Sequence, residues 1–255
     1  MKEKLLKRNA FRRIRHAACA FLAAVVLAQG AVLGVQAGEI IQIDGGGSSA
    51  ASSSWTLSNG SVSSLRAAQS SNQLCIVAAN GTRANISLHN RGADGAWYQV
   101  FSCEGFIGAN GLGKQVYGDK RTPVGIYRFT NAFGIKPNPG VYNFPYYQVD
   151  ERYYWVGTSE HPFFNELVVT DEVPPTGWDG EHIIDYGKDY YYVLSIDWNK
   201  EKNPYKGSAI FFHVETGNPT AGCVSMPENY MLQLITNARP DCTVIIDAAD
   251  RIGLY

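Results

Sequence analysis

The sequence lacks the excess of basic residues that a nucleic-acid partner requires. The chain of 255 residues carries 22 Lys and Arg against 23 Asp and Glu. Seven of the basic residues, but only one acidic residue, fall within residues 1–37, so the remainder has 15 basic and 22 acidic residues, a formal charge of −7. Affinity for nucleic acid rests on neutralising phosphates with cations. The composition therefore argues against nucleic acid as a partner.

Long apolar runs are absent after residue 37, so no later segment is expected to span a membrane. The N-terminus differs: a basic stretch (1–16) precedes an apolar one (17–35), and small residues follow up to Ala37. This pattern predicts a secretory signal peptide, residues 1–37, cleaved after Ala37. A retained membrane anchor is the alternative, because the run is nearly long enough to cross a bilayer. Either interpretation makes the protein extracytoplasmic, secreted or cell-wall associated.

Residues 38–73 are rich in Gly, Ser, Asn and Ala and show no sustained apolar period. Such composition is typical of a linker that need not fold. No internal repeat is visible. Residues 74–255 are enough for one domain with its own core, and we expect the folded part to begin near Leu74.

Short runs rich in Tyr, Val, Ile and Phe follow, separated by turn residues, as half-buried strands require. They are 74–79, 82–90, 96–103, 124–130, 146–150, 153–157, 182–187, 190–198, 208–214 and 243–247. Asn80-Gly81 between the first two predicts a hairpin with a type I′ turn. Helical periodicity occurs once, at 227–238, where Ser225 and Glu228 have capping-box spacing. The predicted fold is mostly β with one helix.

One histidine and one cysteine stand ten residues apart, His213 at the end of an apolar strand and Cys223 just before the predicted helix. A helix N-terminus lowers a thiol pKa, and the intervening Gly- and Pro-containing loop could bring imidazole to sulfur. Amides around Gly222 could hold an oxyanion. A core histidine and a half-cystine are the structural alternatives. Composition and spacing leave both interpretations open.

Four cysteines remain after the leader: Cys75, Cys103, Cys223 and Cys242. Cys75 and Cys103 sit in neighbouring predicted strands and could pair. An even count is also what two disulfides would give, so parity does not decide whether Cys223 is free. The His and Cys residues form no cluster with metal-ligand spacing, so no metal site is expected.

Two segments resemble the L,D-transpeptidase catalytic-domain (YkuD-like) family of bacterial cell-wall enzymes. Residues 107–134 contain Gly118-Asp119 and Thr122-Pro123-Val124-Gly125. Residues 209–226 contain AIFFHV, similar to the family's histidine strand, and PTAGCVSM, similar to its nucleophile turn. The resemblance extends over roughly residues 74–249, and it is to the exported branch of the family.

The resemblance implies a β-sandwich or barrel in which a cysteine thiolate attacks a peptide bond of a peptidoglycan stem peptide. It assigns Cys223 as nucleophile, His213 as general base, the carbonyl of Val214 as the group that orients the imidazole, and Gly222 to the oxyanion turn. The acyl group would pass through a thioester to an amine, giving cross-links, or to water, giving an L,D-carboxypeptidase. No cofactor or metal is implied.

Two positions depart from the family pattern. Members commonly carry His before the Gly-Cys pair and Arg two residues after the cysteine, where this chain has Ala221 and Ser225. His182 could supply what Ala221 lacks, although a strand-end histidine is the structural alternative. Either the substrate presents no carboxylate near Ser225, or a cation reaches in from a neighbouring loop. The candidates for that cation are Lys120, Arg121 and Lys206.

Two other classes remain. A papain-like thiol peptidase uses the same residue types, but its cysteine comes well before its histidine, the reverse of the order found here. A non-catalytic wall-associated module would hold Cys223 in a disulfide with Cys242. The number of free thiols distinguishes that module from any thiol enzyme.

Overall fold

The structure is a computed structural model that describes residues 59–255, with residues 59 and 60 described by their backbone alone. The predicted signal peptide, residues 1–37, and the predicted linker as far as residue 58 lie outside the described residues. Within the described part, no helix combines the length and the apolar character needed to cross a membrane.

The fold starts earlier than the sequence predicts. Helix α1 (Asn59–Ser63) and a 3-10 helix (Arg66–Gln69) occupy the end of the predicted linker. Val62 and Leu65 are buried, in a cluster that also contains residues of the first strand. The boundary at residue 74 is therefore too late. Two apolar side chains within a Ser-rich stretch give no sustained period, so the sequence pattern does not reveal that they are buried.

Thirteen strands form two sheets in residues 59–255. The strands are β1 (Gln73–Asn80), β2 (Arg83–Arg91), β3 (Trp97–Phe106), β4 (Gly125–Tyr127), β5 (Phe129–Gly134), β6 (Tyr146–Gln148), β7 (Tyr153–Val156), β8 (Leu167–Val169), β9 (Gly180–His182), β10 (Val193–Ile196), β11 (Phe211–Val214), β12 (Val224–Met226) and β13 (Thr243–Ala248). The larger sheet has the order β4-β13-β1-β2-β3-β12-β11-β10-β5-β6, and the smaller one β8-β7-β9. The mostly β fold is confirmed.

Helix α2 (Glu228–Asn237) follows β12, which confirms the predicted helix after Cys223. Its buried residues Met231, Leu234 and Ile235 belong to the main core cluster on one face of the large sheet. Two further 3-10 helices, Ile183–Tyr190 and Ala249–Leu254, complete the described elements. Other apolar side chains cover the opposite face, so the sheet is buried on both sides.

The predicted hairpin is present, but its turn is displaced by one residue. Asn80 pairs with Arg83, which leaves Gly81 and Thr82 as the two loop residues. Of these, Gly81 has a left-handed φ of 63°. Glycine at the first central position fits a type II′ turn rather than type I′.

The strand predicted at 182–187 is wrong beyond His182. Strand β9 ends there, and the 3-10 helix Ile183–Tyr190 follows, with a left-handed φ of 53° at Gly187. Ile183 and Tyr190 are the buried residues of this segment, a spacing that strand alternation does not produce. The helix brings its last residues against β11.

The capping box predicted from Ser225 and Glu228 is also wrong. Ser225 lies in β12, where it pairs with His213 of β11 on one side and with Phe106 of β3 on the other. Helix α2 begins after Pro227, which makes no side-chain cap hydrogen bond. A backbone held between two strands cannot at the same time turn into a helix.

The close contact of β3 with β12 gives a test of the fold. A Cβ added at Gly105 would collide with the carbonyl oxygen of Ser225 and lie 2.7 Å from Cδ1 of Ile86. We expect Gly105→Ala to lower the free energy of unfolding by about 1–3 kcal/mol, as overpacking typically does. Gly253→Ala is the matched control, because a Cβ there meets nothing within 4 Å. Equal stability of the two variants in urea unfolding would contradict the β3–β12 register.

Candidate active site

Strands β11 and β12 carry His213 and the residues next to Cys223 side by side. The two strands are parallel and adjacent, with Phe212 opposite Val224 and His213 opposite Ser225. Only residues 215–223 connect them, whereas parallel strands usually need a crossover of a dozen residues or more. Because side chains alternate along a strand, His213, Ser225 and Cys223 share one face.

The segment around Thr122 fixes this short connection. Thr220 forms a parallel bridge with Gly108, and its hydroxyl donates to the carbonyl oxygen of Cys223 at 2.7 Å. The buried Thr122 hydroxyl donates to the carbonyl oxygen of Gly222 at 2.8 Å and accepts from the amide of Gly108 at 2.8 Å. The two segments that resemble the transpeptidase family are thus hydrogen-bonded to each other.

Gly222 occupies a position that other residues cannot. Its φ is +143°, and a Cβ there would lie 2.9 Å from the carbonyl oxygen of Arg121. Its amide donates to the Thr220 hydroxyl at 3.1 Å. That hydrogen bond uses the Gly222 N–H in the turn itself, so the amide of Cys223 is the better oxyanion donor of the two.

His213 is held in one tautomer. It is 8 % exposed, and its Nδ1 lies 2.8 Å from the carbonyl oxygen of Val214. A carbonyl can only accept, so Nδ1 carries the proton and Nε2 keeps a lone pair. The ring of Tyr190 meets the imidazole edge-on, with centroids 5.6 Å apart. Burial lowers the pKa of His213, although the Val214 hydrogen bond opposes this, so the imidazole is neutral at neutral pH.

Cys223 is a buried thiol rather than a thiolate. Its Sγ accepts from the amide of Phe211 and donates to the carbonyl oxygen of Ala209, both at 3.4 Å. Burial, followed by the negative charge of Glu181, raises the pKa of Cys223 to about 12. The expectation that a helix N-terminus lowers this pKa is wrong, because β12 and Pro227 separate Cys223 from α2.

His213 and Cys223 open onto one cleft of about 390 Å³. Its ionisable side chains, besides these two, are Lys114, Glu181 and Asp189, and its tyrosines are Tyr117, Tyr186 and Tyr190. The Lys114 ammonium lies 3.0 Å from Asp119, a carboxylate in the family-like segment. The lining therefore has two acidic groups that face one cation already paired elsewhere.

Sequence reasoning missed Lys114 and Glu181. The candidate cations Lys120, Arg121 and Lys206 are not among the residues that line the cleft. The Gly118-Asp119 motif is the signal that points to Lys114, because Asp119 is its ion-pair partner. Nothing local distinguishes Glu181 from a surface glutamate, because its place in the cleft depends on how β9 lies against β7.

The two departures from the family pattern have different surroundings. Ala221 is exposed at the rim, whereas Ser225 is 1 % exposed on the floor and its Oγ has no hydrogen-bond partner among the described residues. His182 does not line the cleft. It lies 2.9 Å from Asp185 and 2.8 Å from the carbonyl oxygen of Glu151, which confirms its interpretation as a strand-end histidine.

Cys75, Cys103, Cys223 and Cys242 are all free. Cys75 and Cys103 do not lie on adjacent strands as predicted, because β2 separates them. Cys223 and Cys242 belong to different core clusters. Residues 59–255 contain no group of three or more His, Cys, Asp or Glu side chains arranged to bind a metal ion.

Comparison with known proteins identifies the family of this chain. Among solved structures, the chain is similar to the helical cell shape determining protein Pgp2 from Campylobacter jejuni, at 14 % sequence identity and a TM-score of 0.37. The similarity covers 71 % of this chain and 51 % of that one, so this chain matches about half of its length. No curated protein matches the sequence. The L,D-transpeptidase catalytic domain (YkuD) model matches residues 105–246, more than half of the chain, and this protein therefore belongs to that family.

Proposed function

We propose that this protein cross-links peptidoglycan stem peptides by L,D-transpeptidation, with Cys223 as the nucleophile and His213 as the general base. Its family is one of L,D-transpeptidase-type enzymes of the cell wall. The observation that carries the proposal is that both residues share one face of two adjacent parallel strands and line one cleft. Nucleophilic acyl transfer requires a thiol and a base on the same cleft, and a fixed, neutral imidazole supports His213 as that base.

In the first half-reaction, Nε2 of His213 takes the thiol proton while sulfur attacks the carbonyl carbon of a stem-peptide bond. The amide of Cys223 donates to the oxygen that becomes negative, and Gly222 gives the turn the φ that this approach needs. The carbon–nitrogen bond breaks, the leaving amine takes the proton from His213, and a thioester remains. The Val214 carbonyl holds the imidazole in the basic tautomer throughout.

In the second half-reaction, an acceptor amine attacks the thioester carbon, the carbon–sulfur bond breaks, and sulfur recovers its proton through His213. Water in place of the amine gives carboxypeptidase action on the same thioester. Burial disfavours the charged forms of both Cys223 and His213, so the resting thiol and imidazole are neutral rather than an ion pair. Proton transfer therefore accompanies attack.

Stem peptides lie outside the cytoplasm, and the predicted leader at residues 1–37 would deliver the domain there. Attachment to the membrane would come only through that segment, if it is not cleaved. The acidic lining of the cleft favours a donor peptide without a free carboxylate beside the scissile bond. Ser225, in the position of the family's arginine, agrees with this, because it offers a hydroxyl instead of a cation.

The assignment of Cys223 and His213 is tested by intact-mass analysis after exposure to a carbapenem, a reactive acyl donor. We expect wild type to gain one adduct and Cys223→Ala to gain none. His213→Gln should acylate about 10²–10⁴-fold more slowly, the usual contribution of a general base. Cys242→Ala is the control and should acylate like wild type. An equal loss in that control, or an unchanged rate in His213→Gln, would remove the assignment.

The protonation state of the resting thiol gives a second test. Because the pKa of Cys223 is raised to about 12, its thiolate fraction grows with every pH unit below that value. We expect alkylation of Cys223 by iodoacetamide, followed by peptide mapping, to accelerate about tenfold per unit between about pH 7 and pH 10. Circular dichroism at each pH checks that the fold persists. A rate that levels off below about pH 8 would show a thiolate–imidazolium pair instead.

The charge of the cleft predicts a substrate preference. We expect a stem peptide whose free carboxylate near the scissile bond is amidated to react at least as well as the carboxylate form, with kcat/KM up to about tenfold higher, or about 1.4 kcal/mol. The physical reason is repulsion from Glu181 and Asp189, which Lys114 does not offset because it pairs with Asp119. A peptide amidated at a remote carboxylate is the control. A clear loss on amidation would assign Lys114 to the substrate carboxylate.

A further inference from the structure

Glu181 is an acidic side chain in the cleft that the mechanism above leaves without a role. It lies in β9 and lines the cleft together with Cys223 and His213. Its Oε2 accepts a hydrogen bond from the Tyr190 hydroxyl at 2.7 Å, and the ring of Tyr190 contacts the imidazole of His213. Tyr190 thus joins Glu181 to the catalytic base. After burial, the charge of Glu181 is the largest contribution that raises the Cys223 pKa, so carboxyl and thiol lie within Coulombic range.

The surroundings of Glu181 suit a group that gains and loses a proton at neutral pH. Burial raises the pKa of Glu181 to about 7, although hydrogen bonds from Tyr190 and Tyr186 oppose the shift. Both tyrosines come from the 3-10 helix that follows β9. Cys223 faces the carboxyl from the nucleophile turn, and Lys114, Asp189 and His213 are the other ionisable groups of the same cleft. A proton acceptor works best when its pKa is close to the working pH.

A second observation points to a ligand that donates hydrogen bonds. Ser225 is 1 % exposed and lines the cleft, and its Oγ has no hydrogen-bond partner among the described residues. Oδ1 of Asp189, in the same lining, is also buried without a partner. Buried polar atoms are normally paired, so these oxygens can accept hydrogen bonds from water or from a bound ligand. A primary ammonium group offers three donors and a positive charge, which matches one hydroxyl and two carboxylates.

We propose that Glu181 receives the acceptor amine of the second half-reaction, binding it as an ammonium ion and taking its first proton. This rests on the proposed function, because it needs a Cys223 thioester. In this proposal Glu181, rather than His213, makes the thioester react with an amine in preference to water. Asp189 and Ser225 hold the ammonium group by its remaining hydrogens.

The step balances. The ammonium ion gives one proton to the Glu181 carboxylate and becomes a neutral amine. Its nitrogen bonds to the thioester carbon, the carbon–sulfur bond breaks, and the electron pair goes to sulfur. The second proton of the nitrogen passes through His213 to sulfur, which restores the thiol. Glu181 then releases its proton to solvent, and an amide is left as product.

The test measures how much of a preformed thioester reacts with an amine and how much reacts with water. Wild type and Glu181→Gln are acylated with a donor stem peptide and mixed with Nα-acetyl-lysine or with hydroxylamine, and the products are counted by mass spectrometry. Nα-acetyl-lysine arrives as an ammonium ion, whereas hydroxylamine is largely neutral near neutral pH. We expect Glu181→Gln to lower the ratio of aminolysis to hydrolysis at least about tenfold with Nα-acetyl-lysine and less than about twofold with hydroxylamine.

Two variants guard the interpretation. Glu160→Gln removes an exposed glutamate that does not line the cleft, and it should behave as wild type with both acceptors. Tyr190→Phe removes a hydrogen bond that lowers the pKa of Glu181, so more of the carboxyl group is protonated at neutral pH. In this variant, aminolysis of the thioester by Nα-acetyl-lysine should be slower at neutral pH and should recover when the pH is raised. This variant also serves if Glu181→Gln does not fold.

The outcomes separate the two proposals. An equal loss with both acceptors would mean general damage to the cleft, and an unchanged ratio with Nα-acetyl-lysine would mean that Glu181 has no part in acceptor binding. Either result overturns the inference while the thioester, seen by intact mass, still supports the transpeptidase. If wild type forms no thioester with any donor, the proposed function fails and the inference fails with it.

Discussion

The parallel pairing of β11 with β12 is the constraint on which the site depends. The two parallel strands are joined by residues 215–223 alone, which is a short connection. It is closed by Gly222, with a φ of +143°, and by the hydroxyls of Thr122 and Thr220, which donate to carbonyl oxygens of the turn. The register then decides which side chains meet. A shift of one residue in either strand would turn His213 or Cys223 toward the opposite face of the sheet, so the register decides which side chains line the cleft.

The same burial that positions the two residues also keeps them neutral. Thiol and imidazole are both held out of water, and both charged forms are disfavoured. Because the thiolate is the reactive form of cysteine, a thiol held neutral in this way reacts slowly with small electrophiles. Two carboxyl groups in the cleft lining, those of Glu181 and Asp189, disfavour a negatively charged ligand group beside them.

Much of the architecture was accessible from the sequence, since strand-forming residues and turn signals report local preferences. The runs at 74–79 and 208–214 and the helix at 227–238 are examples. The pair His213 and Cys223 was accessible because both lie in one short stretch. Strand β12 was not, because three residues after a cysteine carry no period and the spacing of Ser225 and Glu228 imitates a helix cap. Glu181 reaches the cleft only through the pairing of β9 with β7, which no local pattern encodes.

The pairing of the first strand in the sequence with the last has a consequence for how the protein folds. Strand β1 lies between β13 and β2, so the first strand of the domain is completed by the last. The hydroxyl of Thr122 likewise donates to the carbonyl oxygen of Gly222, which lies one hundred residues later in the sequence. Long-range pairings of this kind must close their loops before they return any stabilisation, which slows folding. The large sheet of this domain is therefore complete only after strand β13, close to the end of the sequence, has paired with β1.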